Sequence, residues 1–157
     1  MELNVGDKVP AIKLKDKDDK SFDFRELAGK SAFVVYFYPK NFTPGCTAEA
    51  CSFRDQYQDF KDLGAEVIAI SPDSANSHQK FAEAYNLPFI FLSDNDRKAR
   101  IAFGVKSSLF GLLPGRETFV FDRQGILRMR YNNLQAVHHT SKALNTLKAL
   151  GGNKIAG

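Results

Sequence analysis

The sequence predicts an α/β fold in which a mixed central sheet carries helices on both faces. Its apolar runs are continuous and rich in β-branched and aromatic residues, which is typical of strands that are buried on both sides. Segments with helical spacing of apolar residues lie between these runs, and that alternation indicates a largely parallel sheet. The four runs are Ala32–Tyr38, Glu66–Ser71, Phe89–Leu92 and Thr118–Phe121.

The helical segments have identifiable start and stop signals. Asp73-Ser74 precedes the second segment, and Gly64, Gly104 and Gly151 follow the first, third and fourth. Serine and aspartate favour helix starts, and glycine favours helix ends. We therefore predict helices over Thr47–Leu63, Asn76–Tyr85, Arg97–Phe103 and Val137–Leu150.

Two hairpins complete the predicted order of elements. Asp122–Gly125 has the composition of a tight turn that leads into a strand over residues 126–131, and an N-terminal hairpin extends from Ala11 to Phe24. After that hairpin the order is β-α-β-α-β-α-β-β-α, which is the order of an elaborated thioredoxin fold. The length of 157 residues fits one domain over residues 1–157.

Composition and charge argue against two classes of partner. The net charge is +4, but the 22 basic residues are scattered, and Lys13–Lys20 interleaves lysine with aspartate. Such a stretch indicates a solvated hairpin, so we expect no nucleic-acid partner. No run approaches the roughly 20 apolar residues that cross a bilayer, and no secretory signal is visible. We expect a cytoplasmic protein without a membrane partner, or an organellar one, for example chloroplastic, if a transit peptide was removed.

The cysteine content indicates a reactive pair instead of a scaffold. Two cysteines are too few for a disulfide framework or a structural zinc site, and the three histidines lie far from both along the chain. We therefore expect no metal and no cofactor. In a reducing compartment a cysteine pair more often cycles than persists as a disulfide.

Residues 38–51, YPKNFTPGCTAEAC, form the segment most informative about chemistry. A strand ends, a loop follows, and a helix begins near Cys46, at the edge of the sheet where ligands bind in α/β proteins. Unpaired N–H groups and the helix dipole stabilise negative charge there, and the thiolate is the nucleophilic form of cysteine. The position therefore predicts that Cys46 is the reactive thiol.

Cys51 follows five residues later, inside the same predicted helix. Five helical residues separate two Cα atoms by about 8.5 Å, whereas a disulfide requires less than about 7 Å. Either the first turn of the helix unwinds after oxidation, or this pair never forms. The alternative hypothesis is that both residues are buried structural thiols, since a helical cysteine often behaves as a small hydrophobe.

These motifs resemble the peroxiredoxins, and among them the bacterioferritin-comigratory or Q-type group. The family signature Pro-x-x-x-Thr-x-x-Cys is matched by Pro39, Thr43 and Cys46, and the group's Cys-x-x-x-x-Cys pair by Cys46 and Cys51. The segment from Leu113 to Phe119 is similar to the one that bears the family's active-site arginine, here Arg116, and Tyr131-Asn132-Asn133 also fits the group. The likeness extends from about Val5 to Leu150.

The resemblance implies a thiol-dependent peroxidase of hydrogen peroxide and organic hydroperoxides that serves antioxidant defence. Cys46 would become a sulfenic acid, Cys51 would resolve it into an intramolecular disulfide, and thioredoxin or a similar dithiol would reduce that disulfide. Arg116 would stabilise the thiolate and the developing negative charge, and Glu49 would orient Arg116. A monomer is expected, because both cysteines belong to one chain.

The resemblance also implies roles for Thr43, whose hydroxyl would align thiolate and peroxide, and for Pro39, which would shield the sulfur. Each role has a structural alternative. Thr43 could cap the helix, Arg116 could be a surface residue before a strand, and Glu49 could complement the helix N-terminus. Phe42 and Phe110 are expected to be core or pocket-wall residues.

Other functions make different demands on the sequence. A thioredoxin-type oxidoreductase requires Cys-x-x-Cys, but Glu49 stands where its second cysteine would be, and a glutathione-peroxidase-like site requires a tryptophan that the chain lacks. A metal-dependent peroxidase would need a cluster of ligands. A non-enzymatic thioredoxin-fold binding or chaperone module remains as the alternative, and absence of peroxide turnover would favour it.

Overall fold

The structure, a computed structural model, describes residues 3–106 and 115–151. Within these ranges seven strands form one sheet in the order β2-β1-β5-β4-β3-β6-β7. They are β1 (Lys13–Asp16), β2 (Ser21–Asp23), β3 (Ala32–Phe37), β4 (Ala65–Ser71), β5 (Ile90–Ser93), β6 (Glu117–Phe121) and β7 (Leu127–Asn132). The described helices are α1 (Pro44–Asp55), α2 (Tyr57–Asp62), α3 (Ala75–Tyr85), α4 (Lys98–Phe103) and α5 (His139–Gly151), with a 3₁₀ turn at Phe24–Glu26.

The predicted fold class is confirmed. The central strands β3, β4 and β5 are parallel, and antiparallel strands flank them on both sides. The N-terminal hairpin is present as β1 and β2, and β1 adds it to the sheet by pairing with β5. The strands match their predicted bounds closely because the continuous apolar runs are indeed buried on both faces.

The prediction of one continuous helix over Thr47–Leu63 is wrong. The helix begins earlier, at Pro44, and it is interrupted at Gln56, which has φ −101° and ψ 6°. Proline suits the first helical position because its fixed φ is already helical and its missing N–H would have no partner there. After the interruption α2 buries Phe60 against the same core that Phe53 of α1 enters. The helical spacing of aromatic residues therefore continues across a break.

Two apolar layers cover the two faces of the sheet. One layer contains side chains from α1, α2, α3 and α5, and the other contains side chains from α4 and the 3₁₀ turn. Rings fill much of both, for example Tyr36 stacked on Phe53 at 4.4 Å between centroids and Phe33 stacked on Phe121 at 4.9 Å. Helices on both faces are thus confirmed. None of the described helices is long and apolar enough to cross a membrane.

Strand directions place two distant segments side by side. The loop after β3 leaves the carboxyl edge of the parallel strands. Strand β6 runs antiparallel to β3 with Phe37 opposite Glu117, so β6 begins at that same edge. Arg116, the residue before β6, therefore lies beside the start of α1. Residues 116 and 118 share the face of the sheet that α1 and α5 cover, because alternate residues of a strand share a face.

Candidate active site

Cys46 is the third residue of α1 and lies in its first turn. Thr43 occupies the N-cap position, and its carbonyl accepts the first helical hydrogen bond from the N–H of Thr47 at 2.8 Å. The Cys46 side chain is buried, with 1% exposure, and the thiol is free. The N–H groups of a first turn have no helical partners, so they stabilise a negative sulfur.

Arg116 uses all three guanidinium nitrogens to reach this site. Its Nη2 donates to Cys46 Sγ at 3.4 Å, its Nη1 to Glu49 Oε1 at 2.5 Å, and its Nε to the carbonyl of Leu134 at 2.8 Å. Burial alone would lower the pKa of Arg116, but Glu49 and Cys46 raise it, so the residue stays a cation. Three hydrogen bonds hold the guanidinium group in place, so its positive charge stays next to the sulfur.

Two glycines make the approach of Arg116 possible. A Cβ on Gly45 would lie 3.3 Å from Arg116 Nη2, which is a tight contact beside Cys46. A Cβ on Gly115 would lie 1.8 Å from the carbonyl oxygen of Lys106, so no larger residue fits without moving the backbone. Glycine is therefore required immediately before the arginine because two backbone segments approach each other closely there.

Glu49 is fully buried, and only one of its two carboxylate oxygens accepts a hydrogen bond from the described residues. Oε1 accepts from Arg116, whereas Oε2 makes no hydrogen bond among the described residues. Burial raises the pKa of Glu49 to about 8, against the opposing effect of Arg116. Glu49 thus contacts Arg116 through Oε1, and among the described residues it makes no hydrogen bond with the N–H groups of the helix N-terminus.

His139 also lies beside Glu49, although no local motif marks it and it is far from both cysteines along the chain. His139 is the first residue of α5. Its Nδ1 atom is 3.6 Å from Glu49 Oε2. Nδ1 also contacts Thr118 Oγ1 at 2.7 Å, and Nε2 contacts the carbonyl of Asn133 at 2.9 Å. Only the packing of α5 on β6 and α1 brings this ring to the site. Cys46, Arg116, Glu49 and His139 are called the Arg116 cluster below.

The other predicted residues lie in the loop after β3 or in α1. The Thr43 hydroxyl donates to the carbonyl of Lys40 at 2.9 Å and makes no capping bond with its side chain. Pro39 is half-buried at the end of β3, and Cys51 is half-buried further along α1. Phe42 is 50% exposed and its ring meets Phe81 edge-on at 5.1 Å, so it forms part of a surface wall and not of the core.

A second buried polar group lies beside the same loop. Tyr38 Oη donates to Asn41 Oδ1 at 2.5 Å, and the Asn41 amide nitrogen lies 3.1 Å from His78 Nδ1. His78 Nε2 contacts the carbonyl of Leu92 at 3.1 Å.

The Asn41 backbone N–H donates to Asp73 Oδ2 at 2.8 Å, and the Ser71 hydroxyl donates to the same oxygen at 2.7 Å. We call this group the Asn41 cluster: Tyr38, Asn41, Ser71, Asp73 and His78.

Some predictions fall on residues 107–114, which lie outside the described part of the chain. They include Phe110, the loop that begins at Ser107, and the start of the arginine segment at Leu113 and Pro114. Within the described ranges, no group of three or more His, Cys, Asp and Glu side chains could hold a metal ion.

The sequence pattern of the AhpC/TSA family matches residues 5–130 of this chain. The chain belongs to the AhpC/TSA family. A similar AhpC/TSA-type relative is the chloroplastic peroxiredoxin Q of Suaeda salsa, 48% identical over 150 residues that cover 95% of this chain and 70% of the relative.

Solved structures agree with the AhpC/TSA assignment. Peroxidoxin BcpB from Mycobacterium tuberculosis superposes with a TM-score of 0.87 at 34% identity, covering 95% of this chain and 99% of that one. The bacterioferritin comigratory protein of Xanthomonas campestris, described with alkyl peroxide reduction activity, superposes with a TM-score of 0.84 at 28% identity, covering 94% and 97%. The predicted resemblance is confirmed. This AhpC/TSA member is a peroxiredoxin, a thiol-dependent peroxidase.

Proposed function

We propose that Cys46 is the peroxidatic nucleophile and that the Arg116 cluster activates it. The observation that carries this proposal is the 3.4 Å contact between Arg116 Nη2 and a buried sulfur in the first turn of a helix. The Cys46 thiolate attacks the terminal oxygen of a hydroperoxide, the O–O bond breaks, and Cys46 becomes a sulfenic acid. The departing alkoxide or hydroxide takes up a proton and leaves as alcohol or water.

Arg116 supplies the charge that this reaction needs. Negative charge moves from the sulfur to the leaving oxygen, and a fixed cation beside both positions stabilises it without reorganising. Glu49 keeps the guanidinium oriented through Oε1. The site is buried, so the effect of the charge is stronger than it would be in water.

Thr43 and Pro39 act on the peroxide side of the sulfur in this proposal. Because the Thr43 hydroxyl donates to the Lys40 carbonyl, its lone pairs are available to accept the O–H of a hydroperoxide. Half-buried Pro39 has no N–H to bind solvent and so helps to keep water from the thiolate. The hydroxyl therefore aligns the substrate and the proline limits competing hydration.

We propose further that Cys51 resolves the sulfenic acid within the same chain. Its thiolate attacks Cys46 Sγ, a disulfide forms, and the sulfenic oxygen leaves as water. Both residues lie in α1, where their Cα atoms are about 8.5 Å apart, so the first turns of α1 must unwind before the sulfurs can meet. Gly45 lies in the first turn of this helix, where glycine favours local opening because it is a poorer helix former than alanine.

A thioredoxin-like dithiol is the proposed reductant, and hydrogen peroxide and organic hydroperoxides are the proposed substrates. The alkyl peroxide reduction activity described for the Xanthomonas campestris relative supports the organic class. We propose a monomer, because one helix supplies both cysteines.

We propose that the protein acts in the reducing cytoplasm. The alternative compartment is an organelle such as the chloroplast, because the Suaeda salsa relative is a chloroplastic protein.

Peroxide consumption with thioredoxin and its reductase tests these assignments. Cys46→Ser should abolish turnover. Cys51→Ser should consume about one equivalent of peroxide and then stall, since its sulfenic acid has no resolving partner in the chain. Normal turnover by Cys51→Ser would show that Cys51 is structural and would remove the unwinding step. Turnover by Cys46→Ser would overturn the proposed nucleophile.

A further inference from the structure

Arg100 of α4 carries a buried positive charge on the face of the sheet opposite to Cys46. It is only 5% exposed, and its Cζ lies 5.6 Å from the centroid of the Phe37 ring. Phe37 belongs to the apolar layer of α4, whereas Cys46 belongs to the layer of α1 and α5. Arg100 Nη1 donates to the carbonyl of Gly115 at 3.4 Å, and Nη2 is buried with no hydrogen-bond partner among the described residues. Arg100 therefore contacts the backbone immediately before Arg116.

Two stretches of backbone meet at Arg100. Its own carbonyl accepts the N–H of Val105 at 3.0 Å, just after the end of α4. Its side chain reaches the carbonyl of Gly115, where a Cβ would lie 1.8 Å from the carbonyl oxygen of Lys106. The residues that follow α4 and the residues that precede β6 are thus held together around one side chain.

The Gly115 carbonyl affects the direction of Arg116 because the carbonyl and the Arg116 N–H belong to one planar peptide unit. Fixing that carbonyl limits where the Cα–Cβ bond of Arg116 can point. The peptide unit after Arg116 is held separately, since its carbonyl accepts the N–H of Asn133 at 3.2 Å. The pairing of β6 with β3 begins one residue later, at Glu117. Hydrogen bonds from Arg100 and Asn133 therefore hold the two peptide units on either side of Arg116.

The charge of Arg100 opposes folding. Moving a cation out of water is unfavourable unless it is paired and fully hydrogen-bonded. Burial lowers the pKa of Arg100 against the opposing effect of Asp94, whose carboxylate already accepts the backbone N–H groups of Ala99 and Arg100 at 2.7 and 2.9 Å. The Phe37 ring and the Gly115 carbonyl thus offset only part of the desolvation cost. We therefore expect a neutral side chain of similar length to fold at least as stably.

We propose that Arg100 is a positioning residue for peroxide reduction: by holding the Gly115 carbonyl, it directs the Arg116 guanidinium at Cys46. The proposal rests on the proposed roles of Cys46 and Arg116. Without Arg100 the peptide unit before Arg116 gains freedom, so the 3.4 Å contact between Arg116 Nη2 and Cys46 Sγ is formed for a smaller fraction of the time. Arg100 lies on the other face of the sheet from the sulfur, so its effect on the reaction passes through Arg116.

Three variants separate positioning from charge and from packing. Arg100→Met removes the donor and the charge, and it keeps an unbranched side chain against Phe37. Arg100→Lys keeps the charge and a donor for the Gly115 carbonyl, but it loses the planar guanidinium. The matched control is Lys98→Met, which removes an exposed positive charge from the same helix.

The experiment measures the rate constant of Cys46 oxidation by hydrogen peroxide in rapid mixing, per folded protein, in the native chain and in an Arg116→Ala background. In the native chain Arg100→Met should be roughly tenfold slower, less than the roughly hundredfold cost of a 1 Å misplacement. Arg100→Lys should lose less than Arg100→Met, and Lys98→Met should match the native rate. In the Arg116→Ala background Arg100→Met should change the rate by less than about twofold, because the side chain that Arg100 positions is gone.

Urea denaturation supplies the folded fraction, and Arg100→Met should unfold at the native midpoint or above it. A native oxidation rate in Arg100→Met would overturn the proposal. An equal fold-loss with and without the Arg116 side chain would overturn it too, since Arg100 would then act through stability or general charge. Should Arg100→Met fail to fold, the comparison of the two backgrounds is made with Arg100→Lys.

Cys46→Ser distinguishes failure of this proposal from failure of the proposed function. If Cys46→Ser still reduces peroxide, the proposed nucleophile is wrong. An inactive Cys46→Ser together with a native rate in Arg100→Met refutes only the role of Arg100.

Discussion

Two buried histidines, His78 and His139, are alike in their burial and in the backbone carbonyl at Nε2, and they differ in the groups that face Nδ1. Burial lowers the pKa of both rings to about 4, and both donate from Nε2 to a backbone carbonyl. His78 Nδ1 faces the amide of Asn41, which donates to it. His139 Nδ1 faces Thr118 and also the unpartnered oxygen of Glu49.

This difference separates a structural cluster from a functional one. In the Asn41 cluster each of these donors meets an acceptor, so the group anchors the loop after β3 to α3. In the Arg116 cluster one carboxylate oxygen, Glu49 Oε2, has no hydrogen-bond donor among the described residues. Both clusters therefore contain a buried histidine with a lowered pKa. They differ in whether every buried polar atom has a hydrogen-bond partner.

The largest expected effect comes from removing the cation of the Arg116 cluster. Arg116→Ala should lower kcat/KM for hydrogen peroxide by about 10²- to 10³-fold, as removal of one preorganised donor does in other enzymes. Steady-state kinetics with thioredoxin measures it. The control is Arg123→Ala, which removes an exposed arginine in the turn between β6 and β7. Equal decreases in kcat/KM for both substitutions would mean that the overall positive charge of the protein, and not the position of the Arg116 guanidinium, assists the reaction.

The next effect concerns acid stability. The pKa of His78 is lowered from 6.5 to about 4, so the stability it contributes is present above pH 6.5 and is lost as the pH falls to about 4. His78→Gln does not titrate, so the difference in free energy of unfolding between native protein and variant should shrink over that range. Urea denaturation at several pH values measures this difference. A constant difference would show that His78 is not buried as a neutral ring.

A smaller effect compares two neighbouring buried tyrosines. Tyr38 Oη donates within the Asn41 cluster, whereas Tyr36 Oη has no partner among the described residues. Tyr38→Phe should cost about 1–3 kcal/mol of unfolding free energy because it leaves buried acceptors unsatisfied. Tyr36→Phe should leave stability unchanged or raise it by about 1 kcal/mol. Equal losses in the two variants, measured by urea denaturation, would contradict the hydrogen-bond assignments of Tyr36 and Tyr38.

The sequence predicted the fold well because its strands are buried on both faces and are therefore continuously apolar. Its local signals did not reveal the interruption at Gln56, where neither glycine nor proline marks the break and the aromatic spacing continues. Pro44 could have placed the helix start, since proline is favoured at the first helical position.

The sequence predicted the part of the site that local motifs mark. Local motif spacing marks Cys46, Thr43 and Cys51, and resemblance to a family marks Arg116. His139 belongs to no local pattern. Its approach to Glu49 depends on how α5 packs on β6 and α1, and on which of two adjacent histidines enters the helix. A tertiary contact of that kind cannot be obtained from helical or strand periodicity.

The most direct test of the distinction between the two clusters is a side-by-side measurement of His78→Gln and His139→Gln at neutral pH. Each variant is assayed for unfolding free energy and for kcat/KM with hydrogen peroxide, corrected for the folded fraction. Both should lose stability, but only His139→Gln should lose kcat/KM, by roughly tenfold, while His78→Gln stays within about twofold of native protein. Equal changes in kcat/KM for the two variants would contradict the account.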